Sequence, residues 1–148
     1  MVIGPIIGFA VGVLFGVVLH RRSHFNDVRR FQRRFGWAHP PTPRFLSYGL
    51  IERFDLIDEE RREMLAAFDT HDLPAAADAL VDLVYVVLGL AALMGLPWQQ
   101  LWDDVHRANM RKHRGVKPER GHTHDVVKPP GWVGPQTRAI LRRAGWRP

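Results

Sequence analysis

Cysteine is absent from the chain, so neither a disulfide framework nor a thiolate metal site can be built from it. Acidic residues are the minority charge. Fifteen Asp and Glu against twenty-one Lys and Arg give a formal charge of +6, with a pI near 10.7. That balance points to an anionic partner such as a nucleotide, a nucleic acid or a membrane surface. Strand-like alternation is missing as well, and there is no internal repeat. The apolar spacing therefore predicts an all-α fold, a helical bundle. At 148 residues the chain has room for one soluble domain and a short appendage.

The appendage comes first. Residues 2–19 of "MVIGPIIGFAVGVLFGVVLH" carry no charge, and as a helix they would span about 27 Å, near the thickness of a bilayer core. No positive segment precedes them and no small-residue cleavage site follows. This favours a transmembrane anchor over a removed signal peptide. Arg21, Arg22, Arg29, Arg30, Arg33 and Arg34 all follow the run, so the positive-inside bias expects a single-pass protein with its folded part in the cytoplasm. Gly4, Gly8, Gly12 and Gly16 share one face, which suits close helix packing but is also common in membrane helices. The expected division is an anchor over 1–22 and a domain over 23–148, with a core at 44–113 and a loop-rich tail at 114–148.

Within the domain, "FNDVRRFQRRFGW" predicts a short amphipathic helix capped near Asn26 or Asp27 and ended by Gly36. A proline-rich connector follows. A second helix is expected from about Arg44 to Thr70, with Leu50, Phe54, Ile57, Leu65 and Phe68 as its apolar stripe. Asp72 as N-cap and Pro74 in the first turn start a third helix over about 73–94. That helix is apolar enough to cross a bilayer, but Asp78 and Asp82 lie inside it. It is read as the buried helix of a bundle. "PWQQLWDDVHRANMRKHRG" predicts a fourth, with Trp98, Leu101, Trp102 and Val105 inward, and "PQTRAILRRAG" a last short one.

Carboxylates collect on two of these helices. Glu63 shares a face with Glu59 and Glu60 in "DEERRE", and Asp78 and Asp82 are i, i+4 in "DALVD". "DEERRE" alone also fits a solvated face, since Arg61 and Arg62 are interleaved. Asp78 and Asp82 stand among Ala, Leu, Val and Tyr and call for a partner. Two antiparallel helices can bring the five acids together, and magnesium suits a few carboxylates shared with water and phosphate oxygens. On the fourth helix, His106, Asn109 and Lys112 form one polar edge, open to a phosphate or merely to solvent. Tyr85, Lys128 and Trp132 are further candidates for substrate contact, against ordinary packing. His122 and His124 have no further ligands at metal spacing and are set aside.

"EERRE" followed by "AADALVDLVYVVLGLAALMGLPWQQLWDDVHRANMRK" resembles the MazG-like and phosphoribosyl-ATP pyrophosphohydrolase-like group of all-α nucleoside triphosphate pyrophosphohydrolases, particularly its phage-type members. The similarity spans roughly residues 25–135, including a Lys-Gly-Pro-rich tail, "VVKPPGWVGP". The resemblance implies an EExxE motif at Glu59, Glu60 and Glu63 and the Asp of an ExxD motif at Asp78. The Glu of that motif falls at Ala75, a departure for which Asp82 is the available substitute. It further implies magnesium, or manganese, held by Glu60, Glu63, Asp78 and Asp82, with Glu59 orienting or deprotonating water. His106, Asn109 and Lys112 match the family's VHRxNMxK stretch, as nucleotide-orienting groups and a phosphate contact. Lys128 and Trp132 stand as a phosphate contact and a base-stacking ring.

The expected reaction is hydrolysis of a nucleoside triphosphate to monophosphate and pyrophosphate, by a homodimer or higher oligomer with the site near the subunit interface. The rival is a catalytically degenerate nucleotide-binding protein on the same fold, with Ala75 marking the loss. No nucleic-acid partner is expected, because the basic residues carry no recognition motif.

Overall fold

The computed structural model describes residues 23–47, 49–117 and 122–148. The apolar run, with the anchor and glycine face expected in it, lies outside them. The described chain is mostly helical: α1 (His24–Arg34), α2 (Leu50–Asp69), α3 (Leu73–Leu93), α4 (Trp98–Met110) and α5 (Thr137–Arg143), with two strands between α4 and α5.

α2 and α3 form an antiparallel hairpin through a very short turn. His71 takes a left-handed φ of 57°, and the Asp72 side chain accepts from Ala75 N at 3.0 Å, capping α3 as its sequence predicts. The two helices approach closely because small residues meet between them: Ala67, Ala76 and Ala79 are all buried. α1 packs on α3 at Gly89, where an added Cβ would come within 3.0 Å of Gln32 Nε2. Gln32, only 2 % exposed, donates to Gly89 O at 3.0 Å and accepts from His39 Nε2 at 2.9 Å. Burial, then Arg29 and Arg33, hold the His39 pKa below its ordinary value, so the ring is neutral and can donate only from Nε2.

Four expectations are corrected. α1 starts at His24, earlier than the Asn26/Asp27 cap, with Ser23 as N-cap. α2 starts at Leu50, not Arg44, because Gly49 turns left-handed and Arg44 N is tied to Met94 O at 3.0 Å. The tail expected as loop contains an antiparallel hairpin, β1 (His113–Lys117) with β2 (His122–Val127), pairing His113 with Val127 and Gly115 with Asp125. Its strands are short and charge-rich, which hid any alternation. Gly115 is required there, since a Cβ would lie 2.5 Å from Val127 Cγ2.

The fourth correction concerns what is buried. α3 covers α2 and α1 with one side only; Leu73, Leu80, Val81, Val84 and Val87 are exposed, so it is not buried all round. It is the one described helix long and apolar enough to cross a membrane. Phe54, Leu65 and Phe68 of α2, and Trp102 and Val105 of α4, are likewise exposed.

Candidate active site

The α2–α3 hairpin brings the predicted carboxylates to one side of the molecule, but Asp78 and Asp82, expected on a buried helix, are exposed there, as are Glu59 and Glu63. Glu60 is their centre. It is half-buried at the helix–helix seam, and its pKa is raised by burial and then by Asp82, Glu63, Glu59 and Asp78. All four other predicted acids therefore press on one carboxyl group. Asp58 is not part of this set, because it faces Arg61 at 3.5 Å. Ala75 lies two turns of helix before Asp82 and so shares its face. Among the described residues, no three His, Asp or Glu side chains converge closely enough to enclose an ion. The donor set itself is entirely carboxylate, the chemistry of a hard divalent cation, and an added positive charge would relieve the repulsion at Glu60.

Next to the acids lies a pocket of about 390 Å³ whose lining includes Phe31, Gln32, Trp37, Arg53, Asp82 and Tyr85. Tyr85 meets Phe31 edge-to-face at 5.5 Å, and Arg53 stacks 4.6 Å above the Trp37 ring. Burial, then Asp27, raises the Tyr85 hydroxyl pKa, so it is a neutral donor. Phe31, Trp37 and Arg53 were not among the site candidates read from the sequence. The only local signal was the aromatic density of "FQRRFGW", and nothing in it points to Arg53 or to α3.

The basic candidates sit elsewhere. Lys112 lies just past the end of α4, not on the helix as expected; its Nζ donates to Asn109 Oδ1 at 2.8 Å, and His106 is exposed on α4. Lys112 and Lys128 flank Trp132, with their ammonium groups 5.6 Å and 4.6 Å from its ring centroid. Trp132 Nε1 donates to Ala108 O at 2.9 Å, and Arg111 donates to Val133 O at 2.9 Å, so the tail is laced onto α4. The Gln136 N–H lowers the Asp104 pKa in the same corner. A cleft of about 750 Å³ opens between Asp104, Arg111, Pro130 and Trp132. It contains none of the five acids, and the pocket holding Asp82 contains none of the basic candidates. Within one chain the structure joins the acids to Tyr85 and joins Asn109, Lys112, Lys128 and Trp132 to each other, but does not unite the two groups.

No curated protein matches the chain. Residues 28–109, more than half of its length, match the phosphoribosyl-ATP pyrophosphohydrolase family. The matched span runs from Val28 on α1 to Asn109 on α4 and contains all five carboxylates. On that match, the chain belongs to the phosphoribosyl-ATP pyrophosphohydrolase family, within the MazG-like all-α nucleoside triphosphate pyrophosphohydrolase superfamily.

Proposed function

We propose that the chain is a magnesium-dependent nucleoside triphosphate pyrophosphohydrolase, tethered to a membrane by residues 1–22 and active as a dimer or larger homo-oligomer. The observation that carries it is Glu60, placed where Asp82, Glu63, Glu59 and Asp78 all act on it, beside a pocket with aromatic walls.

In this reading Glu60, Glu63, Asp78 and Asp82 hold the cation, with manganese as the alternative to magnesium. Bound there, the metal neutralises phosphate charge and lowers the pKa of water. The chain supplies position. Phe31, Trp37 and Tyr85 hold the base or sugar, and Arg53, fixed on Trp37, offers its guanidinium to the substrate's oxygens. Glu59 orients the attacking water and takes its proton. The water oxygen bonds to the α-phosphorus as the bond to the bridging oxygen breaks, and pyrophosphate leaves with that electron pair. His106, Asn109, Lys112, Lys128 and Trp132 act from α4 and the tail of a neighbouring subunit. The exposed apolar side of α3 supports such an assembly.

A second reading, nucleotide binding without turnover, is favoured by Ala75 and by the open spread of the acids. Pyrophosphate release by the full chain, across a panel of nucleoside triphosphates with and without magnesium, separates the two. The expected result is magnesium-dependent release that falls at least a hundredfold in Glu63→Ala, the order of effect of removing a transition-state electrostatic partner. Absence of release in the natural chain, with release gained by Ala75→Glu, would establish the second reading instead.

A further inference from the structure

A set of rings and guanidinium groups lies around the starts of α1 and α4, at a cleft that shares no lining residue with the pocket beside the acids. Phe25 stacks on Trp98 at 6.0 Å, and Trp98 meets Trp102 at 6.2 Å, forming a ladder from α1 onto α4. Its outer rung is bare, with Trp102 58 % exposed. Arg29 stands 5.9 Å from the Phe25 ring. A cleft of about 430 Å³ beside the ladder is lined by Phe25, Arg29, His39, Pro97 and Ala144 among others, so the end of α5 reaches the same place. Thr42 fixes it there: a Cβ on Gly145 would be 2.8 Å from Thr42 Cγ2. The last turn of α5 carries Arg142 and Arg143, both exposed, and Arg138 stacks on Trp146 at 5.9 Å. No described carboxylate pairs with Arg29, Arg138, Arg142 or Arg143. The nearby acids are taken, Asp27 by Arg30 and Asp103 by Gln99.

Exposed indole beside unpaired guanidinium is the chemistry of the bilayer headgroup zone, where amphipathic rings settle and arginine meets phosphate. Position agrees with chemistry. α1 opens at His24, and the sequence just before it is Arg21 and Arg22 preceded by the uncharged run of residues 2–19. We propose that this end of the molecule, the Phe25–Trp98–Trp102 ladder with Arg29, Arg142 and Arg143, docks on an anionic phospholipid surface. The domain then lies against the membrane instead of hanging from a tether. α3 leads away from this end, and Asp82 and Asp78 stand about 16 Å and about 22 Å along it from Leu93, which keeps them clear of the lipid. The proposal goes beyond the tether and is independent of the hydrolase reading.

Because the chain has no cysteine, a single one introduced by Gln99→Cys or Asp69→Cys can carry a fluorophore. Gln99 borders the ladder and Asp69 ends α2 at the opposite end of α3. The full chain is reconstituted into vesicles of phosphatidylcholine, or of phosphatidylcholine with phosphatidylglycerol, each holding a headgroup-attached quencher. The expected result is strong quenching at position 99 and weak quenching at 69, with the difference present only in the anionic vesicles. Combining Arg29→Glu, Arg142→Glu and Arg143→Glu should weaken docking roughly fivefold per arginine. Molar salt, where the Debye length falls to about 3 Å, should abolish it while the chain stays with the vesicles.

Equal quenching at both positions, or quenching at 99 indifferent to lipid charge, overturns the docking and leaves the tether standing. Release of the chain from anionic vesicles by salt, with the quenching pattern intact before it, overturns the tether and supports the docking. A close label-to-label distance at position 99 in detergent would assign the ladder to a second copy of this chain and overturn the proposal. Should the triple variant misfold, the comparison of the two lipids with the natural arginines still decides.

Discussion

Glu60 is under opposing demands. Burial at the α2–α3 seam and four neighbouring carboxylates favour its protonated form, whereas holding a cation requires the anion. A carboxyl whose pKa rises on folding keeps its proton longer in the folded chain than in the unfolded one. Metal-free stability should therefore fall as pH rises from the ordinary carboxylate range through the raised value. In the proposed reading magnesium would reverse that trend, because it would stabilise only the deprotonated site. Glu60→Gln separates the two effects. Without magnesium the variant should melt at the same temperature as the natural chain or higher, since one repelling charge is gone. The stabilisation that magnesium would give the natural chain in this reading, about 2.7 kcal/mol at a hundredfold excess over Kd, should be largely lost. Thermal melts with and without magnesium check both halves. A variant that melts lower without metal and keeps the magnesium shift would remove Glu60 from the ligand set.

At the scale of elements, the α2–α3 hairpin depends on its turn. The Asp72 carboxylate caps α3 through Ala75 N, and His71 takes a left-handed conformation to make the link short. Asp72→Ala should cost about 1 kcal/mol, lowering the thermal midpoint by roughly 3–5 °C for a domain of this size. A drop of that order with magnesium binding retained would confine the residue to capping. Asp72 and Pro74 made this turn legible in the sequence, and with it the juxtaposition of the five acids, because cap chemistry acts within four residues. The pocket beside the acids was not legible. Its walls come from α1, the segment after it, α2 and α3, and only docking at Gly89 brings Phe31 to Tyr85. Gln32 was missed for the same reason, since its partners are 57 and 7 residues away. The β1–β2 hairpin was missed because its two short strands, HRGVK and HTHDVV, carry no apolar alternation to read. The exposure of Phe54, Trp102 and the outer side of α3 was missed because periodicity marks an apolar face without saying what covers it.

Across the whole molecule, the acids on the hairpin and the cations on α4 and the tail occupy separate surfaces of one chain. In the proposed assembly each active centre draws on both, so subunits with different lesions should complement. Glu63→Ala and Lys112→Ala, each inactive alone, should give magnesium-dependent pyrophosphate release when unfolded together and refolded as a mixture. If the mixture stays as inactive as its components while still forming mixed oligomers, each chain must supply its own site.

The order in which the molecule assembles also follows from its close-set helical hairpin. α2 and α3 are adjacent in sequence and joined by a minimal link, so their pairing closes a short loop and is entropically the least demanding of the long helix contacts. α1 must return to Gly89 across an intervening connector and helix, and the tail returns to α4 across the β1–β2 hairpin. During synthesis α1 emerges before α2 and α3, but the carboxylate-bearing pair closes the shortest loop and would therefore collapse first. The outer apolar side of α3, which α1 and α4 leave exposed, would in the proposed assembly be bare until a second subunit arrives, the interval in which the nascent chain is most exposed to misassembly.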